Sequence, residues 1–390
     1  MAHRLPEDLE ENGKTMTFDV SQSDDGERTD LTRSSLYPVR SKLPVFLQNP
    51  LVWFSVVLLV LIGLVFGLLY GLGGEVPDDT TDVSDTNEQV PGDTIDAPDT
   101  NEQTPPKENP AAWRVGGLLD MESIAAGSLH SKYALLVNLD TMQAVVGQNI
   151  HEKMYPASMT KIMTFIVAYE NIPDLSVLLE LTPEIRAQYF PEASRKGIDV
   201  GDFLTAEQCL YAMIMESDTD AVLMLVEQVA GSEAAFVTLM NEKAAQMGLV
   251  ATHFENATGL HHDDHYTTAC EMAEILAYAM QYSLFRDVSC TYSYRTPLKY
   301  YKDGVLTEYP MTFYNTTLRG RLEDNRISAK LSDGGEILGG KTGLTDEARY
   351  CQAAIAKDSD GTLYIAIFGY AAEAKKSAKD MRWLFDTYLD

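Results

Sequence analysis

Between Lys42 and Glu75 the chain carries no charge, and from Leu51 to Leu72 it is almost wholly apolar. A bilayer core takes about 20 residues of helix. A helix buried inside a soluble domain would normally keep a polar face, and this run has none. A cleavable signal peptide would have a shorter apolar region, a short basic start and a small-residue cleavage site. Here a long arm precedes the run, and Gly73-Gly74 leads into acid. The expectation is an uncleaved transmembrane signal anchor over 51–73. Arg33, Arg40 and Lys42 precede it, and Glu75, Asp78 and Asp79 follow it. By the positive-inside rule the N-terminus is cytoplasmic. The protein is then a single-pass component of the cell membrane, with everything beyond the span extracellular.

That anchor divides the chain into four. Residues 1–50 form a polar arm of mixed charge, without apolar periodicity. Residues 74–112 are a linker rich in Asp, Thr and Pro, in which Asp85-Thr86-Asn87-Glu88-Gln89 recurs as Asp99-Thr100-Asn101-Glu102-Gln103. Such a segment cannot bury a core, and a flexible tether of its length spans roughly 35 Å. Residues 113–390 are patterned as a globular domain. The net charge of −28 among 390 residues argues against nucleic acid and anionic lipid surfaces as partners. Cys209, Cys270, Cys290 and Cys351 form no C-x-x-C pair and read as free thiols, with one disulfide left open.

Within the domain, Tyr133–Asn138 and Ala144–Gly147 read as strands around a turn near Asp140. Ile162, Phe165, Ile166 and Tyr169 recur at helical spacing behind Ser158. Helices are expected over 206–215, 221–230, 233–247 and 269–281. Two further strands, 350–356 and 363–370, flank the turn Asp358-Ser359-Asp360-Gly361, and a closing helix runs over 375–389. The fold class is therefore α/β (α+β). An antiparallel sheet built from both ends of the domain is flanked by helices, with an inserted helical lobe and a cleft between the two.

Three short motifs carry chemistry. Ser158-Met159-Thr160-Lys161 places a hydroxyl and an amine three residues apart, on one face of a helix. Serine needs a base to become a nucleophile, and lysine is a base only if desolvation or a second cation lowers its pKa. Lys341-Thr342-Gly343, after Gly339-Gly340, offers a cation for a carboxylate and a glycine for close backbone approach. Ser217-Asp218-Thr219 lies in a break between two helices, where Ser217 can relay a proton; the alternative is a simple helix cap.

The set S-x-x-K, S-x-N and K-T-G is the signature of penicillin-recognising serine enzymes. In order and separation the chain resembles the serine-type D-alanyl-D-alanine carboxypeptidases, the low-molecular-mass penicillin-binding proteins, over about residues 130–390. The segments Tyr155–Thr164, Phe254–Leu260, His265–Ala269 and Gly339–Thr345 carry the resemblance. It implies a β-lactamase/transpeptidase-like fold and removal of the terminal D-alanine from peptidoglycan stem pentapeptides. It makes Ser158 the nucleophile, Lys161 its base and Ser217 the relay. Lys341, Thr342, Gly343 and Thr219 would bind substrate, and the N–H groups of Ser158 and Leu344 would form the oxyanion hole. β-Lactam antibiotics would acylate Ser158. No cofactor and no metal is expected.

Thr219 stands where the family has Asn and loses the amide's two-sided hydrogen bonding. It supports one competing reading, an impaired protein that binds cell-wall peptide or a partner. A β-lactamase-like hydrolase would need an E-x-x-L-N stretch, which does not follow Ala221. The run His261-His262-Asp263-Asp264-His265 reads as a polar loop, with metal ligation the lesser alternative.

Overall fold

The computed structural model describes residues 113–188 and 193–389. The expected arm, anchor and linker (residues 1–112) lie outside the described residues. Among those described, no single helix is long and apolar enough to cross a membrane.

The chain enters through β1 (Glu122–Ser123) and the hairpin β2 (Tyr133–Asn138) and β3 (Gln143–Gln148). After a 3-10 turn at Ala157–Thr160 comes α1 (Lys161–Asn171), whose residues are buried as far as Tyr169. Short β4 (Leu178–Glu180), α2 (Pro183–Arg186) and β5 (Asp202–Thr205) lead to α3 (Ala206–Met215). A reciprocal cap starts α3: Thr205 Oγ1 accepts from Gln208 N at 3.1 Å while Gln208 Oε1 accepts from Thr205 N at 2.7 Å. Next is α4 (Thr219–Ala230), which ends at Gly231 in the left-handed conformation, as helices commonly do. Helices α5 (Glu233–Gln246), α6 (Ala269–Ala279) and α7 (Ser283–Cys290) complete the lobe. There follow the hairpin β6 (Ser293–Lys302) and β7 (Val305–Tyr314) and a π-helix at Thr316–Glu323. The domain closes with β8 (Glu336–Thr345), β9 (Arg349–Lys357), β10 (Leu363–Ala371) and α8 (Ala374–Tyr388).

The main sheet has the order β1-β3-β2-β10-β9-β8, so strands from both ends of the domain meet at the β2–β10 pair. All pairings are antiparallel except β1 with β3. Alternate residues serve two cores. Leu135, Val137, Ala353, Ile355, Ile365 and Ile367 face the helical lobe, while Ala134, Leu136, Ala354, Ala366 and Phe368 pack with Met381, Leu384 and Phe385 of α8. A second sheet, β4-β5-β6-β7, stands beside the lobe; the sequence reading had not anticipated it. Strand β8 is the last strand of the main sheet, and its outer edge forms one wall of the cleft.

Candidate active site

The Ser158 segment is clamped between two glycines. Ala157 adopts φ +48, which a non-glycine residue holds only where its surroundings enforce it. Gly343 of β8 packs so closely that a Cβ there would stand 2.9 Å from Pro156 O and 3.2 Å from Ser158 N. On the other side, Gly259 (φ +84) leaves only 2.0 Å between a would-be Cβ and Ala157 O. Glycine at both positions lets β8 and the 254–260 loop close on the turn and fix the direction of Ser158.

Lys161 is buried at the first position of α1, and its Nζ donates to Ser158 Oγ at 3.0 Å and to Thr258 O at 2.6 Å. The Thr258 peptide is fixed in turn by Asn256, whose Oδ1 accepts from Thr258 N at 3.2 Å and Gly259 N at 2.7 Å, and whose Nδ2 donates to Leu260 O at 2.9 Å. Burial pulls the Lys161 amine down to about 7, with the Asp218 charge opposing. The uncharged amine, the form able to take a proton, is thereby brought within reach near neutral pH.

Ser217 is buried with φ +60, and its Oγ has no hydrogen-bond partner among the described residues. Asp218 caps α4 by accepting from Ala221 N at 2.9 Å and holds the 193–201 segment by accepting from Lys196 N at 2.6 Å. Burial raises its carboxyl to about 6. Asp218 thus fills the helix cap that the sequence offered as the alternative reading of this motif. Thr219 donates its backbone N–H to Ser194 O at 2.9 Å, and its buried Oγ1 has no partner among the described residues. Asp220 pairs with Arg186 at 3.0 Å and Arg195 at 3.1 Å, tying the same segment to α4.

Lys341 is fully buried, with Nζ donating to Thr342 O at 2.8 Å. Desolvation first, then the charges of Lys161 and Arg321, hold its pKa well below the ordinary lysine value. Thr342 Oγ1 donates to Thr316 Oγ1 at 2.9 Å. Leu344 is half exposed and lines a cleft of about 800 Å³ with Ser194, Glu233, Asn256, His261 and Glu347.

Sequence reasoning missed His265, expected in a polar loop. It is 2% exposed, its Nδ1 accepts from Glu255 N at 3.2 Å, and its Nε2 lies 2.8 Å from Thr160 Oγ1. The backbone donor at Nδ1 places the ring proton on Nε2, so a neutral His265 donates to Thr160. Burial drives its pKa down to about 3. The rest of the loop is exposed or partly so. Glu255, His262 and Asp264 come within 4.8 Å of one another, but His262 Nδ1 already accepts from Asp264 N at 3.1 Å. All four cysteines are free; Cys209, Cys270 and Cys351 are buried and Cys290 partly so.

This fold is that of the D,D-peptidases. The domain superposes on the Streptomyces K15 D,D-transpeptidase with a TM-score of 0.58 at 23% identity, covering 68% of this chain and 99% of that one. It matches a D-alanyl-D-alanine carboxypeptidase from Mycobacterium tuberculosis with a TM-score of 0.54 at 22% identity, covering 67% of this chain and 94% of that one. The peptidase S11 family model, D-alanyl-D-alanine carboxypeptidase, matches residues 120–372, and the chain belongs to that family. It is 29% identical over 257 residues to the D-alanyl-D-alanine carboxypeptidase DacF of Bacillus subtilis (65% of this chain, 61% of that one). It is 28% identical over 261 residues to DacA of Escherichia coli K12 (64% and 60%). The chain thus spans about three fifths of the length of these curated relatives.

Proposed function

We propose that the protein is a serine D,D-carboxypeptidase, anchored in the cell membrane by residues 51–73, that removes the terminal D-alanine of peptidoglycan stem pentapeptides. The observation that carries this reading is the buried, pKa-lowered Lys161 amine 3.0 Å from Ser158 Oγ. As Ser158 Oγ attacks the carbonyl carbon of the penultimate D-alanine, its proton passes to Lys161 Nζ. The tetrahedral oxyanion lies between the N–H groups of Ser158 and Leu344. Lys341, Thr342 and Gly343 hold the terminal carboxylate, and Thr219 lines the opposite wall. When the C–N bond breaks, the proton moves from Lys161 through Ser217 to the departing amine. Water then attacks the acyl-enzyme ester by the reverse proton path, freeing the tetrapeptide and Ser158 Oγ–H. β-Lactams enter the same path as covalent inhibitors.

The test is release of D-alanine from an acyl-L-Lys-D-Ala-D-Ala peptide by the detergent-solubilised protein. Wild type should release one D-alanine per peptide, and Ser158→Ala none above background. Equal release by both would dismiss Ser158, and no release by either would favour the peptide-binding alternative. Alkaline extraction of membranes tests the anchor: the protein should stay with the lipid, and full release would remove the span from the account.

A further inference from the structure

The cleft beside Ser158 carries fixed charge of one sign. Both clamps on the Ser158 turn run on into its walls: Gly343 continues as Leu344 and Thr345, and Gly259 as Leu260 and His261. The inner end of the cleft is therefore held next to Ser158. Farther out, one wall is completed by Asp346 and Glu347, in the turn between β8 and β9. The other wall has Glu255 of the 254–260 loop and Glu233, whose Oε1 accepts from Ala257 N of that loop at 3.0 Å. Among the described residues that line the cleft there is no lysine or arginine. Both walls are held in place. Thr345 Oγ1 accepts from Ala348 N at 3.0 Å and pins the turn that presents Asp346 and Glu347. His261 packs edge-on against Tyr155 at 4.7 Å, and its Nδ1 stands 3.9 Å from Glu347 Oε2 on the facing wall.

The direction of a bound peptide along this cleft follows from the proposed reaction. With the terminal carboxylate at Lys341–Gly343 and the reacting carbonyl at the Leu344 N–H, the acyl part points toward Thr345 and Glu347. Consecutive Cα atoms stand about 3.8 Å apart, and a strand advances about 3.3 Å per residue. The third residue of the stem, which precedes the penultimate D-alanine, thus comes level with Asp346 and Glu347. One exposed carboxylate is worth little to a ligand. Several of one sign around a concave site add, because low-dielectric walls focus their field. We propose that the site selects stem peptides whose third residue ends in a free ammonium, as lysine and ornithine do, with Asp346 and Glu347 as the specificity-determining residues. This rests on the peptidase reading above. A third residue ending in a carboxylate is repelled by the same groups, so selection works by exclusion as well as by attraction.

The test offers the detergent-solubilised full chain three peptides, Nα-acetyl-X-D-Ala-D-Ala, in which X is L-lysine, L-norleucine or L-2-aminoadipate. The side chains are similar in length and end in an ammonium, a methyl and a carboxylate. For D-alanine release, kcat/KM should be about tenfold or more higher for lysine than for aminoadipate, mainly through KM, with norleucine between them. That ratio should narrow in salt of about 1 M, where charges act over only ~3 Å. Asp346 and Glu347 are exposed, so the double variant Asp346→Asn, Glu347→Gln should fold, and its ratio should be smaller than wild type by roughly threefold or more. Glu255→Gln, exposed on the other wall, should move the ratio in the same direction and carries the test if the double variant does not fold. Equal kcat/KM for the three peptides, a preference for aminoadipate, or a ratio that neither variant moves would overturn the proposal while leaving the peptidase reading intact. No D-alanine from any of the three would sink that reading, and this inference with it.

Discussion

Lys161 shows what burial does to an amine. An amine at its ordinary value would be protonated at neutral pH, whereas this one is brought to about 7. Deprotonation creates the active form, so acylation of Ser158 should rise with pH through about 7 and then level. Stopped-flow acylation against pH checks this, and a profile flat from pH 6 to 9 would contradict it. Lys161→Arg keeps the charge but cannot lose the proton, so it should be about 100-fold or more slower, in the range of a lost general base. Thr219 offers a second test at this scale. Its Oγ1 is buried without a partner among the described residues, so Thr219→Val removes no bond made among them. Its melting temperature should stay within a few degrees of wild type. If the hydroxyl meets substrate, kcat/KM on D-Ala-D-Ala peptides should fall roughly tenfold, the worth of about one hydrogen bond. A melting drop with unchanged kcat/KM would assign Thr219 to stability instead.

At the scale of elements, the site depends on β8 and the 254–260 loop pressing on one strained turn. Gly259→Ala would put a methyl 2.0 Å from Ala157 O at a φ of +84. Substitution at such a position should cost a few kcal/mol, and thermal unfolding would register it. Gly343→Val should act differently. An added Cβ would stand 2.9 Å from the backbone Pro156 O and 3.2 Å from Ser158 N, so the strand or the turn must move, and acylation should fall together with the melting temperature. Much of this was legible in the sequence. Spacing put Ser158 and Lys161 on one helical face, and Tyr133–Asn138 reads as the strand it forms. The hairpin β6–β7 was not read, although Lys302-Asp303-Gly304-Val305 is a strong turn signal, with φ +52 at Asp303 and +76 at Gly304. Its strands alternate in burial over Ser293–Leu298, but each carries a proline, Pro297 and Pro310, which reads against a strand. His265 and Arg321 were illegible for another reason. A buried polar residue is identified by its partners, and those lie 105 residues away in the chain for His265 with Thr160 and 29 for Arg321 with Tyr350.

Across the whole molecule, stability comes from two apolar cores on either face of one sheet, with no disulfide among the described residues. A reductant should therefore leave the melting temperature of the domain unchanged, and a drop of several degrees would reveal a cross-link. The architecture also explains why the groups gathered at the candidate site come from distant parts of the chain. Strands from both ends of the domain meet at β2–β10, which brings β8 against the turn that opens α1, while the lobe between them supplies Ser217 and Thr258. The central claim is that these groups make Ser158 a nucleophile. Incubating the detergent-solubilised protein with benzylpenicillin, followed by intact-mass and peptide mass spectrometry, tests it most directly. The account predicts a mass increase of one penicillin, located on the peptide containing Ser158 and absent from Ser158→Ala. No adduct on folded wild-type protein, or an adduct that survives in Ser158→Ala, would contradict it.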